Sequence, residues 1–73
     1  MTLTMRRPPS AARLLRVAHG LVQAQAAVIA GVDQTEISRH ENGRKALPPE
    51  AVARLAAYYG VAPEVLSVQK DDE

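Results

Sequence analysis

The feature that most constrains this chain is the short connection Gly31-Val32-Asp33 between two segments of helical character, residues 23–30 and 34–41. With so few connecting residues the chain must turn sharply, and Gly31 supplies the left-handed backbone conformation that a Cβ would penalise. Two helices that cross so closely need a small side chain on the first and an apolar one on the second, and Ala27 and Ile37 meet these needs. The pattern therefore predicts two short helices packed across a tight turn.

The second of these helices offers little to a hydrophobic core. Ile37 is its one apolar residue, and the side chains around it are polar: Asp33, Gln34, Thr35, Glu36, Ser38, Arg39, His40 and Asn42. Such a helix is expected to face a polar partner. The spacing of Ala27, Gly31, Val32 and Ile37 is that of the helix-turn-helix motif, whose second helix is free to enter the major groove of DNA.

The rest of the chain also favours helices. Its 73 residues suit one domain, and its 47% hydrophobic content contains no Phe and no Trp, which favours short, closely packed helices over strands. Ser10 is predicted to cap the first helix, Asp33 and Glu36 to form a capping box for the third, and Pro49 to begin the fourth. The expected fold is all-α with five helices, at about residues 10–19, 23–30, 34–41, 49–59 and 63–67.

Several functional classes find no support in the sequence. The chain has no cysteine, and His19 and His40 lack a nearby carboxylate cluster, so we expect neither a metal site nor a cofactor. No arrangement of nucleophile, base and acid predicts an enzyme. No apolar run approaches the roughly 20 residues of a membrane span, and no signal peptide is apparent, so a cytoplasmic location without membrane contact is expected.

Charge is distributed unevenly although the formal net charge is only +1. Basic residues lie toward the N-terminus and in the segment 39–45, and acidic residues end the sequence. We therefore divide the chain into a flexible basic arm at residues 1–9, a folded domain at residues 10–68 and a disordered acidic tail at residues 69–73.

The segment GLVQAQAAVIAGVDQTEISRHENG, residues 20–43, resembles the Cro/cI-type (Xre-like) helix-turn-helix repressor family. The resemblance extends through PPEAVARLAAYYGVAPEVL and covers residues 10–67 without a gap. It implies a compact five-helix, lambda-repressor-like DNA-binding domain. It also implies a transcriptional regulator, either a repressor or a small switch protein, that acts as a homodimer on a two-fold operator in double-stranded DNA.

The resemblance assigns base reading to exposed positions of the helix at residues 34–41, namely Gln34, Thr35, Ser38 and Arg39. Their chemistry suits this role, because Gln can pair with adenine, Arg with guanine, and the Thr methyl group can touch thymine. Backbone phosphates are assigned to Gln23, Asn42, Arg44 and Lys45. An ion pair between Arg16 and Glu41 is implied, tying the first helix to the end of the third.

Each assignment has a plainer alternative. Gln34 and Thr35 could be ordinary solvated residues, and Arg44 with Lys45 an ordinary solvated pair. Arg39 could pair with Glu36 one helical turn away. Glu36 itself opposes phosphate charge, and it could serve a capping box or accept a hydrogen bond from cytosine.

The sequence also departs from the family pattern. Val22 stands where a Ser or Thr usually caps the second helix, so a weaker helix start is expected. Ala26 replaces a larger core residue. His40 replaces an apolar residue and is interpreted as a partly buried, hydrogen-bonded histidine, with a pH-sensitive or phosphate-binding role as the alternative.

Apolar residues beyond the needs of a small core raise the question of partners. Leu14, Val17 and Val28 could form a surface for a protein partner or be scattered surface residues. Part of a second group near the C-terminal helices is expected to form a two-fold interface, and the group comprises Tyr58, Tyr59, Val61, Val65 and Leu66. The functional alternative is an antitoxin-like or adaptor protein-interaction module on the same fold.

Overall fold

The computed structural model describes residues 10–67, which form four α-helices and one short 3₁₀ helix and contain no strand. The α-helices are α1 (Ala11–Ala18), α2 (Gln23–Ala30), α3 (Gln34–Glu41) and α4 (Pro49–Tyr59). The all-α class is confirmed, but the predicted fifth α-helix is a single 3₁₀ turn, Pro63–Leu66. Four residues are too few to establish the α-helical hydrogen-bond ladder. The arm at residues 1–9 and the tail at residues 69–73 lie outside the described residues.

Side-chain capping differs from the sequence expectation at two helix starts. The Ser10 hydroxyl accepts from the Arg13 backbone N–H at 3.2 Å, as predicted. The Asp33–Glu36 capping box is wrong, because the Asp33 side chain accepts no capping bond and the Glu36 N–H donates to the Asp33 main-chain carbonyl at 3.0 Å. At α2, where Val22 has no polar side chain, the Gln25 Oε1 accepts from the Val22 N–H at 2.9 Å. Half of a capping box is thus present at α2.

The turn between α2 and α3 depends on glycine. Gly31 has a φ of +75°, and its N–H donates to Ala27 O at 2.8 Å, while the Val32 N–H reaches the same carbonyl at 3.0 Å. The last carbonyl of α2, at Ala30, accepts from Arg54 Nη1 at 3.2 Å. The end of α2 is therefore closed by its own backbone and by one side chain from α4.

Gly31→Ala is expected to lower the free energy of unfolding by about 1–2 kcal/mol through the left-handed backbone alone. An added Cβ would also lie 3.3 Å from Arg54 Nη1 and disturb its bond to Ala30. Gly20→Ala is the matched control, because Gly20 has a φ of +71° and open space at the Cβ position. Urea unfolding should show the larger loss for Gly31→Ala, and equal losses would mean that Arg54 moves aside without cost.

Small residues dominate the core and allow the helices to approach closely. Helix α2 packs on both α3 and α4. Its buried face is made of alanines, against which the larger buried residues Ile37, Leu55 and Tyr59 pack. Of the C-terminal apolar group, Tyr59 and Leu66 belong to the core and Val61 packs against it, whereas Tyr58 and Val65 are exposed. The expectation that part of this group forms an interface stays a prediction.

His40 is a buried member of α3. It is 4% exposed, and its Nε2 lies 2.8 Å from the Leu66 carbonyl oxygen. Because a carbonyl only accepts, Nε2 carries the proton in this bond. His40 is hydrogen-bonded as the sequence suggested but more deeply buried than the expected partly buried histidine, and the contact joins the 3₁₀ turn to α3.

Candidate nucleic-acid interface

Helix α3 has one face fixed in the protein and one face open. At about 100° per residue, Ile37, His40 and Glu41 share one side of the helix, and all three are buried. The predicted base readers lie on the remaining surface, where Gln34, Thr35, Ser38 and Arg39 are exposed except for a half-buried Ser38. A helix held by three buried side chains can present the others in a defined orientation.

The loop after α3 brings the basic pair next to the helix end. Gly43 adopts a φ of +74°, and the Arg44 N–H turns back to donate to the Arg39 carbonyl at 2.8 Å. Asn42, Arg44 and Lys45 are exposed in this loop. Their positions beyond the helix end are compatible with contacts to a phosphate backbone and less so with base edges.

The end of α3 is tied to α1 by a two-pronged ion pair. Arg16 Nε donates to Glu41 Oε2 at 2.7 Å, and Nη2 donates to Oε1 at 3.1 Å. The third guanidinium nitrogen, Nη1, donates to the Leu21 carbonyl at 2.9 Å. The Arg16 and Glu41 side chains are 11% and 4% exposed, so the pair is almost entirely removed from water.

Neighbouring polar groups extend this pair. Gln23 Nε2 donates to Glu41 Oε1 at 3.3 Å, so the half-buried Gln23 side chain has one of its amide hydrogens engaged within the protein. The hydrogen bond to Glu41 raises the pKa of Arg16 above its ordinary value, with burial opposing. Burial raises the pKa of the Tyr59 phenol, and the Glu41 charge raises it further. The network joins α1, the start of α2 and the end of α3.

The structure tests the alternative in which Arg39 pairs with Glu36, and it also bears on metal binding and on membrane spans. Among residues 10–67 Arg16 and Glu41 form the one ion pair, so Arg39 does not pair with Glu36. Within the described part of the chain, no group of acidic, His or Cys side chains could hold a metal ion. No described helix is long and apolar enough to cross a membrane.

Two supporting residues escaped the sequence analysis. Gln25 could have been found, because a Gln at the third position of a helix is half of the capping-box signature. Arg54 could not, because its bond to Ala30 joins residues that are distant in sequence and meet only after α4 packs on α2. Gln25 stabilises the start of α2, and Arg54 stabilises its end.

Comparison with known proteins agrees with this geometry. A family model described as a helix-turn-helix domain matches residues 11–68. The crystal structure of the restriction-modification controller protein C.AhdI from Aeromonas hydrophila is similar, with a TM-score of 0.66 and 28% sequence identity. That alignment covers 77% of this chain and 85% of C.AhdI. No curated protein sequence matches the chain.

Proposed function

The chain belongs to the helix-turn-helix domain family and is a DNA-binding transcriptional regulator, and we propose that it reads a specific operator by inserting α3 into the major groove. The match bears out its resemblance to Cro/cI-type (Xre-like) proteins. The proposal includes no catalytic activity, since every role assigned to the site is one of binding. Because a regulator works where the DNA is, we place the protein in the cytoplasm.

One observation carries the proposal: α3 is anchored on one side and polar on the other. On the open side Thr35, Ser38, Arg39 and Asn42 fall within an arc of about 100°. Side chains spread over such an arc can face the base edges in the major groove, and they supply both hydrogen-bond donors and acceptors. Gln34 lies beside this arc at the helix start, where it is exposed.

Phosphate contacts would complete the interface. We assign Arg44 and Lys45 to the backbone on one side of the groove and Gln23, at the start of α2, to the other, with Asn42 at the end of α3. Gln23 has a second amide hydrogen to offer while the first is bonded to Glu41. A phosphate contact made by Gln23 would therefore be coupled to the end of α3 through Glu41.

The direct test is selection of bound sequences from a random duplex pool, followed by titration of the enriched duplex against a scrambled one. We expect an enriched sequence with two-fold symmetry and an affinity at least 10³-fold above that for the scrambled duplex. Equal affinities for the two duplexes would contradict sequence reading, and absence of binding to either would contradict the function.

A homodimer on the two-fold operator is expected to use the aromatic edge formed by His19, Tyr58 and Tyr59. Tyr58 is 49% exposed and its ring centroid lies 5.9 Å from those of His19 and Tyr59. A large exposed aromatic beside a buried one suits a self-complementary contact that places the two α3 helices about 34 Å apart. Sedimentation should show a concentration-dependent dimer that Tyr58→Ser weakens.

The control for this variant is Val28→Ser, which removes a residue 82% exposed on α2. It should leave the monomer–dimer equilibrium unchanged. A protein that stays monomeric on DNA, with the footprint of one half-site, would contradict the dimer.

A second candidate function rests on exposed apolar residues of α1. Leu14 and Val17 are 55% and 58% exposed, which favours an antitoxin-like or adaptor role with a protein partner. Similarity to a protein described as a restriction-modification controller favours regulation over this alternative. A tight complex with the product of a neighbouring gene, formed without any preference among duplexes, would reverse that order.

A further inference from the structure

A cavity of about 330 Å³ lies beside the end of α3, away from the proposed base-reading positions. It is open to solvent on one side and is lined by the loop that follows α3, the first turns of α4 and the end of the 3₁₀ turn. Its volume is at the lower limit of the range usual for small-molecule sites. The sequence gives no sign of it, because its walls come together only in the folded chain.

The walls divide into an apolar part and a basic part. Leu47, Val52 and Leu66 provide the apolar part, and Leu47 and Leu66 are themselves buried in the core. Arg44 and Lys45 stand at the basic part, and none of the lining residues is acidic. Neither cation forms an ion pair with another residue of the range 10–67.

His40 adds a buried polar group to the wall. His40 lines the cavity, and its Nε2–H donates to the Leu66 carbonyl at 2.8 Å. Its Nδ1 makes no hydrogen bond to any residue of the range 10–67. In the neutral ring this nitrogen is an acceptor, so it suits a ligand hydroxyl or a bound water.

We propose that this cavity binds a small organic anion, with an apolar body against Leu47, Val52 and Leu66 and an acidic head group on Arg44 and Lys45. Binding would draw both cations away from DNA phosphates and so lower the affinity for duplex. This second step rests on the proposed function, because it uses the phosphate role of Arg44 and Lys45. The first step, binding itself, is independent of DNA.

The two-part wall decides the class of ligand. An inorganic anion would meet only two exposed cations, whose attraction is screened by salt and worth little in water. A neutral apolar molecule would fill the apolar part but leave the cations solvated at its edge. A molecule with both an apolar body and a negative charge gains from both parts of the wall. The volume limits it to roughly ten non-hydrogen atoms.

The binding step can be tested by NMR titration of the full chain with three probes. Benzoate carries both the ring and the charge, inorganic phosphate the charge alone, and benzyl alcohol the ring alone. We expect benzoate to shift the amide signals of Gly43, Leu47 and Ser67 saturably, with half-saturation at roughly 1–10 mM. Phosphate and benzyl alcohol should give shifts that do not saturate in this range. Equal responses to all three probes, or none to benzoate, would overturn the proposal.

Two variants locate the site. Val52→Phe should fill the apolar part and abolish saturation, and Arg44→Gln should weaken benzoate at least fivefold without touching the core. Arg13→Gln is the matched control, since it removes the same charge from an exposed position of α1. If Arg13→Gln weakens benzoate as much as Arg44→Gln does, the effect is one of net charge and the cavity is not the site.

The regulatory step is measured on duplex DNA, with benzoate against chloride at equal ionic strength. Saturating benzoate should weaken binding to scrambled and selected duplex alike, by roughly tenfold, because phosphate contacts carry no sequence preference. Unchanged DNA affinity at saturation would overturn this step. If the protein bound no duplex at all, the proposed function would fail while the titration of the free protein still decided the cavity.

Discussion

Arg16→Ala should lower the free energy of unfolding by about 3 kcal/mol, the loss typical of removing one partner from a buried ion pair. The Glu41 carboxylate, 4% exposed, would keep only the 3.3 Å hydrogen bond from Gln23. The Leu21 carbonyl would lose its side-chain donor as well. Urea unfolding followed by circular dichroism measures the change directly.

The matched control is Arg13→Ala, which removes the same charge from the same helix at an exposed position. It should change the unfolding free energy by less than about 0.5 kcal/mol. Equal stabilities of Arg16→Ala and Arg13→Ala would show that water screens the pair in solution and that its geometry contributes little.

Arg16→Ala should also weaken operator binding at temperatures where the variant is still folded. The pair holds the end of α3 against α1, while Ile37 and His40 hold its middle and its last turn. Loss of one of these attachments leaves α3 able to tilt, and a small displacement of α3 would misplace all of the proposed base contacts at once. Affinity for the scrambled duplex should fall less than affinity for the operator.

The turn between α2 and α3 was predictable because its determinants are local. A glycine followed by two residues, with Ala27 before and Ile37 after, leaves few ways to connect two helices, and the observed φ of Gly31 agrees. The ends of α2 and α4 were predictable for the same reason, since Gly31 and Gly60 each end a helix in the left-handed conformation. Local signals of this kind fix where helices end and how they turn.

Features that depend on tertiary packing were harder to predict. The sequence did not show which of the C-terminal apolar residues are buried: Tyr59 and Leu66 are core residues, while Tyr58 and Val65 are exposed. The predicted side-chain cap at Asp33 was wrong because the Glu36 N–H donates to the Asp33 main-chain carbonyl and not to its carboxylate. The cavity beside His40 depends on the packing of the 3₁₀ turn against α3 and the loop that follows it, and no spacing along the chain encodes that contact.

Two single variants, Arg39→Ala and Lys45→Ala, should distinguish base reading from phosphate binding. Arg39 is exposed one helical turn beyond Thr35 and forms no ion pair with Glu36, and we propose that its guanidinium reaches a base edge. Arg39→Ala should cost roughly 1–3 kcal/mol per half-site on the operator and relax the preference at one base pair. The measurement is fluorescence anisotropy with the operator and with its single-base variants.

Lys45→Ala is the matched comparison, because it removes the same charge from the loop beyond the end of α3. A lysine there is expected to reach only the backbone, so operator and scrambled duplex should weaken alike. The slope of log affinity against log salt should fall in magnitude by about 1 per subunit. If Arg39→Ala instead weakened all duplexes equally and kept every base preference, Arg39 would be a phosphate contact. Sequence reading would then rest on Gln34, Thr35 and Ser38, the other proposed base-reading side chains of α3.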